Sequence, residues 1–147
     1  MKMTFSRISL ILFILFLTSC ATQMDQKVLI EDSQLDSFNL DISNFINNQQ
    51  KLKSEVLKIN AKSPSIQRIL NNSDEFWLKG NLKKTNSELE RALRLSKSES
   101  AVYLRLSHLR LEQGLLIESK SFSSRGLMNN KASSWEFFLL KIYQKLE

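Results

Sequence analysis

The sequence predicts an all-α fold built on a two-helix unit that occurs twice. The first observation is a recurrence. Leu78-Lys79-Gly80-Asn81-Leu82, running on to Glu90-Arg91-Ala92-Leu93, returns thirty-four residues later as Glu112-Gln113-Gly114-Leu115-Leu116 and Ser124-Arg125-Gly126-Leu127. Under that shift Gly80 falls on Gly114, Leu82 on Leu116, Thr85 on Ser119, Ala92 on Gly126 and Leu93 on Leu127. Small residues land on small ones and large apolar residues on large apolar ones, at the period of a helix–turn–helix repeat. The second observation is that three glycines and one proline in 147 residues leave few breaks, which favours long helices over a many-turned β fold. The third is that 42% hydrophobic content in one short chain supports a single small domain.

Residues 1–19 read as a secretory signal. Lys2 and Arg7 give a positive start and Ile8 to Leu17 a short apolar core, too short to span a bilayer unaided. Leu17-Thr18-Ser19-Cys20 resembles a bacterial lipobox, which implies that Cys20 is lipidated and becomes the first residue of the mature protein. Cys20 is the only cysteine, so no internal disulfide forms. Several acyl chains on one residue hold a protein firmly to a membrane, whereas one chain alone is marginal. Ala21 stands where an inner-membrane retention signal usually has aspartate, so the expected location is the outer membrane, facing the periplasm. The formal charge of +6 falls to +4 once Lys2 and Arg7 are removed. Residues 21–50 hold five acids against Lys27 alone, so the basic excess lies after residue 50. The envelope location argues against nucleic acid as the partner of that excess.

Residues 20–34 are polar and acidic apart from Val28-Leu29-Ile30 and read as a tether. An amphipathic helix is expected over 35–62. Leu35, Phe38, Ile42, Phe45, Gln49, Leu52, Val56 and Ile59 recur at spacings of three and four, a heptad seam with one polar member. Two readings stand. The seam pairs with other copies as a coiled coil, making a homo-oligomer through Leu35–Ile59, or the helix folds back on the repeats. Leu40, Ile46 and Leu57 widen the stripe, and Asn44, Asn47 and Asn48 are weak helix formers, both of which favour folding back.

The repeat domain is expected over 64–147. Ser63 is the expected N-cap, with Pro64 in the first turn, where its missing N–H costs nothing. Helices are expected over about 65–79, 82–95, 101–113 and 116–128, then a last helix from Ser133 or Ser134 to about Leu146. Gly80 and Gly114 should each end a helix in the left-handed conformation that glycine adopts without a Cβ penalty. Thr85 with Ala92, and Ser119 with Gly126, are seven apart, on one helix face where small side chains allow close approach.

This pattern resembles the tetratricopeptide repeat. Glycine, a large residue two on, a small residue five on and a small residue twelve on stand here twice. Tyr103 and Leu106 occupy the family's aromatic and leucine positions, with Ile69 and Asn72 one period before and Phe137 and Leu140 one period after. Asn72 replaces a core leucine, Arg110 and Gln144 hold a usually aromatic position, and Lys97 stands for the repeat proline. The resemblance covers Pro64 to Glu147 and implies a short α-solenoid: two repeats and a closing helix, preceded by the amphipathic helix.

The resemblance also implies a partner-binding groove. Carried over residue by residue, its lining is Leu70, Asp74 and Trp77, then Leu104, His108, Leu111 and Glu112, then Phe138 and Ile142, with Gln67, Leu78, Ala101 and Trp135 at the margins. Leu70, Leu104 and Phe138 hold one equivalent position, which makes the row apolar enough to need a cover. The cover is either the protein's own heptad helix or an apolar segment of a protein partner lying helix-in-groove.

No catalytic constellation is present. His108 is the only histidine and lacks a second nitrogen or sulfur ligand, so no metal or cofactor is expected. There is no Gly-x-Ser-x-Gly elbow, phosphate-cradling loop or dinucleotide fingerprint. Asp74 and Glu75, adjacent on a helix, do not face each other as an acid pair would. The expected function is a non-enzymatic interaction module, an adaptor or scaffold lipoprotein in the cell envelope. The alternative is a coiled-coil oligomer displaying the repeat domains. Contact of Lys51, Lys53, Lys58 and Lys62 with anionic lipid or glycan ranks third.

Overall fold

Two glycines set the corners of the fold. In the computed structural model, which describes Ser43 and residues 45–129 and 131–146, Gly80 and Gly114 both stand at φ 73°. The Gly80 N–H donates to Trp77 O (2.9 Å) and the Asn81 N–H to Phe76 O (2.9 Å). Gly114 and Leu115 repeat this onto Leu111 O (2.9 Å) and Arg110 O (2.8 Å). Each pair satisfies carbonyls that the helix end would otherwise leave open, the arrangement of a Schellman motif.

The described residues form helices and no strand: α1 Gln49–Lys58, α2 Pro64–Leu78, α3 Leu82–Leu95, α4 Ser100–Glu112, α5 Leu116–Leu127 and α6 Ser134–Lys145. The chain is all-α. The starts of α3 and α5, and of α4 and α6, are thirty-four residues apart. Each helix from α2 to α6 packs on the next, and α1 and α6 both lie on α4.

Central position decides the character of α4. Every residue from Ser100 to Leu109 is buried, as befits a helix surrounded on all sides. Tyr103 and Leu104 join Leu52 and Val56 of α1 and Phe138, Leu139, Leu140, Ile142 and Tyr143 of α6 in one apolar cluster. Ala101, Val102, Leu106 and Leu109 join Ile66, Ile69, Leu70 and Trp77 of α2 and Leu89 and Ala92 of α3 in another. The small residues permit this packing: Thr85, Ala92 and Ser119 are fully buried. A Cβ on Gly126 would come within 2.8 Å of Leu140 Cδ2 and 2.9 Å of Tyr103 Cβ.

The expected long helix over 35–62 requires correction. The chain breaks at Asn47–Asn48, and α1 starts afresh with the Asn48 side chain accepting the Lys51 N–H at 2.9 Å. Asparagine side chains compete for backbone donors in this way and so start helices better than they continue them. The helix also stops at Lys58, and residues 59–63 form an irregular joint to α2. Phe45, Leu52 and Val56 of the seam are spent on contacts within the chain. The seam residues Leu35, Phe38 and Ile42 lie outside the described residues, as do the signal segment, Cys20 and the tether.

Candidate interaction face

Two polar groups lie where α1 meets α2 and α4. The first is built on Arg105, fully buried in the middle of α4. Its Nε donates to Asp74 Oδ1 (2.8 Å) and its Nη2 to Asp74 Oδ2 (2.8 Å), a two-point pair across to α2. The same guanidinium donates to Leu57 O (3.2 Å) and Ile59 O (2.9 Å), two carbonyls at the C-terminal end of α1. Helix C-termini carry open carbonyls and partial negative charge, which a planar guanidinium suits.

The second group centres on Glu112 at the end of α4. Its carboxylate accepts from Trp77 Nε1 (2.6 Å, α2) and Lys53 Nζ (2.8 Å, α1). Lys53 Nζ also lies 4.5 Å from the Trp77 ring centroid, a cation–π contact. His108, 1% exposed, is tilted against Trp77 at 5.7 Å between ring centroids. His108 Nδ1 lies 2.9 Å from Tyr143 Oη of α6, and Nε2 lies 3.7 Å from Glu112.

Burial dominates the electrostatics of this group. It pulls the His108 pKa down to about 4, with Lys53 adding to the shift and the Glu112 carboxylate opposing it. Burial, then Glu112, pushes the Tyr143 hydroxyl well above its usual value. At neutral pH the imidazole is therefore neutral, and the carboxylate facing Nε2 favours the tautomer with its proton there, in which Nδ1 accepts from the Tyr143 hydroxyl.

The joint before α2 is held in the same manner. Glu99, 6% exposed, accepts the backbone N–H groups of Lys62 (2.9 Å) and Ser63 (3.0 Å). Ser63 takes the N-cap position of α2, but its hydroxyl makes no cap bond and sits 2.8 Å from the Ser65 hydroxyl. Glu99, thirty-six residues away, takes the N–H of Ser63 itself, the bond that an N3 glutamate makes in a capping box.

The proposed groove positions do converge, but they do not form an open groove among the described residues. Leu70, Leu104 and Ile142 are fully buried and Trp77, His108 and Phe138 nearly so. Leu111 packs partly buried against the cluster that holds Leu52 and Val56. Asp74 is committed to Arg105, and Glu112 to Trp77 and Lys53. The physical reason is the apolar row itself, which in water must be covered. At the margins Leu78 is 73% and Trp135 43% exposed, while Ala101 is fully buried.

The expected lysine surface is also redistributed. Lys53 is bound to Glu112, Lys58 pairs with Glu55, Lys51 lies over the Phe45 ring, and Lys62 Nζ donates to Lys131 O. The two polar residues at the usually aromatic position of the repeat pattern find partners. Gln144 Nε2 donates to Lys120 O (2.7 Å) and Ser123 Oγ (2.8 Å), tying α6 to α5. Arg110 Nε lies 2.8 Å from a Glu118 oxygen.

Comparison with protein-family models, with curated proteins and with solved structures finds no match. Among the described residues no group of three or more His, Cys, Asp or Glu is placed to hold a metal ion, and no helix is long and apolar enough to cross a membrane.

Arg105, Glu99 and Tyr143 are the residues of this face that sequence reasoning missed, and Lys53 was singled out only as a surface cation. A signal for Arg105 existed: it lies in Ala101–Leu111, where apolar residues occur on every side of a helix, so a charge there has few routes to solvent.

Proposed function

We propose that this chain is a non-enzymatic protein–protein interaction module of the cell envelope, a short tetratricopeptide-like α-solenoid anchored to the outer membrane through lipid on Cys20 and facing the periplasm. One observation carries the interaction reading. The face of α2, α4 and α6 holds a helix, here α1, with groups that are already paired among themselves: Arg105 with Asp74, and Glu112 with Trp77. A seat whose buried guanidinium keeps its counter-charge when no helix lies on it suits a helix-binding module, because Arg105 is not left alone on emptying, while Glu112 keeps the Trp77 N–H and gives up only Lys53. The expected partner is a protein that presents an amphipathic helix with two apolar residues four apart and an open C-terminal end, as Leu52, Val56 and Ile59 do in cis. Anchoring raises the local concentration of this face near the membrane, so a modest affinity suffices.

Site-specific photo-cross-linking in intact cells tests the reading. A photoreactive residue at Leu111, on the seat itself and only partly buried, should attach a second polypeptide, and one at Arg91, on the outer face of α3, should not. No attachment from Leu111, or equal attachment from both, overturns it. Incorporation of labelled palmitate tests the anchor by itself.

A further inference from the structure

Hydrogen bonds gather three inter-helix joints onto one edge of the domain. Lys62 and Ser63 donate their backbone N–H groups to Glu99, the Asn129 amide donates to Ser98 O, and Lys62 Nζ donates to Lys131 O. The starts of α2, α4 and α6 therefore lie side by side. On this edge Lys62, Lys97 and Lys131 are exposed. So are three large apolar side chains, Leu95 at 64%, Met128 at 83% and Trp135 at 43%. The two acids placed here, Glu99 and Glu136, are 6% and 5% exposed and are occupied by backbone N–H groups. What the edge shows to its surroundings is positive charge and apolar surface.

The opposite edge, at the Gly80 and Gly114 turns, is mixed in charge. Leu78 and Ile117 are exposed there too, but the exposed Lys79, Lys83 and Lys84 stand among the exposed carboxylates of Glu75 and Glu118. Chain direction distinguishes the edges again. Phe45, near the start of the described chain, packs edge-on against Trp135 with ring centroids 6.3 Å apart. The described chain thus begins beside the cationic edge.

We infer that the edge formed by Lys62, Lys97, Lys131, Leu95, Met128 and Trp135 docks onto an anionic phospholipid surface. The inference rests on the anchoring part of the proposed function. Lysines near a membrane are attracted by anionic headgroups, and a tryptophan ring with one apolar and one polar end settles at the headgroup level. Docking this edge leaves the α1 seat beside the bilayer and not against it.

Trp135 is the reporter. The lipidated full-length chain is reconstituted into phosphatidylcholine vesicles with brominated acyl chains, with and without about one third phosphatidylglycerol, at low and high salt. The expected result is quenching of Trp135 emission in the anionic vesicles, absent in Trp135→Phe and falling at least about twofold at high salt, where surface charges are screened. Combined Lys62→Glu, Lys97→Glu and Lys131→Glu should give the same fall with unchanged helical circular dichroism. Equal quenching without phosphatidylglycerol, or indifference to salt, overturns the inference, and the salt arm needs no variant. Emission from Trp135 that vesicles leave unquenched also overturns it and leaves the edge to a protein partner. A chain without palmitate sinks the anchoring reading, whereas a palmitoylated chain whose Trp135 stays unquenched sinks this docking edge alone.

Discussion

Arg105 on α4 and Asp74 on α2 form a two-point ion pair, both bonds 2.8 Å, and the same guanidinium holds the last carbonyls of α1. One side chain thus ties three helices. Arg105→Met should destabilise the domain by about 3 kcal/mol, because Asp74, 18% exposed in its side chain, loses its counter-charge and the α1 carbonyls lose a donor. Adding Asp74→Asn should cost much less than a second full increment, since the two residues share one interaction. Denaturant titration of the two single variants and the double checks this, and strictly additive losses would rule the coupling out.

The three glycines should part company on substitution. Gly80→Ala and Gly114→Ala meet open space but force a Cβ into the left-handed region, for about 1 kcal/mol each. Gly126→Ala gains helix propensity, yet its methyl meets Tyr103 Cβ and Leu140, so a net loss of about 1–3 kcal/mol is expected. Thermal melts rank them. A stabilised Gly126→Ala would show that α5 can move away from α4 and α6 at little cost.

Acid should weaken the fold through His108. Its folded pKa of about 4 lies below the unfolded value of 6.5, so the unfolded chain binds the proton first as pH falls. Stability is fully present above about pH 6.5 and declines toward pH 4, by up to about 3 kcal/mol from this group. His108→Gln should flatten that part of the pH–stability curve. An unchanged curve would assign the acid sensitivity to other groups.

Leu52 and Val56 supply the apolar hold of α1, both fully buried. Leu52→Ala should cost about 2–4 kcal/mol of packing and cavity energy if α1 unfolds only with the whole domain. If α1 lifts off by itself, hydrogen exchange of its amides should quicken while those of α4 stay slow. Equal acceleration in both helices would show that α1 is core and not a seated helix.

The repeating part of the fold was legible because its causes are local. The starts of α3 and α5, the glycine corners and the small faces at Thr85, Ala92, Ser119 and Gly126 follow from spacing and from what glycine alone tolerates. The break at Asn47–Asn48 was half legible: those residues read as weak helix formers, but not as a cap that starts a new helix. The candidate face was legible as a row of positions and illegible as a surface. The row from Leu70 to Ile142 is apolar in the sequence, but whether water, a partner or the chain itself covers it depends on where α1 comes to rest.

Local pattern alone was enough for the helices of the repeats, their periodic corners, and the residues that would share one face. Periodicity and backbone preference act within a few residues, so they can be read along the chain. Long-range packing set the rest: α1 covers that face, Arg105 is buried with Asp74, and Glu99 holds the backbone at Ser63 from thirty-six residues away. Those outcomes depend on which distant groups meet once the apolar row leaves water, and no local pattern encodes that.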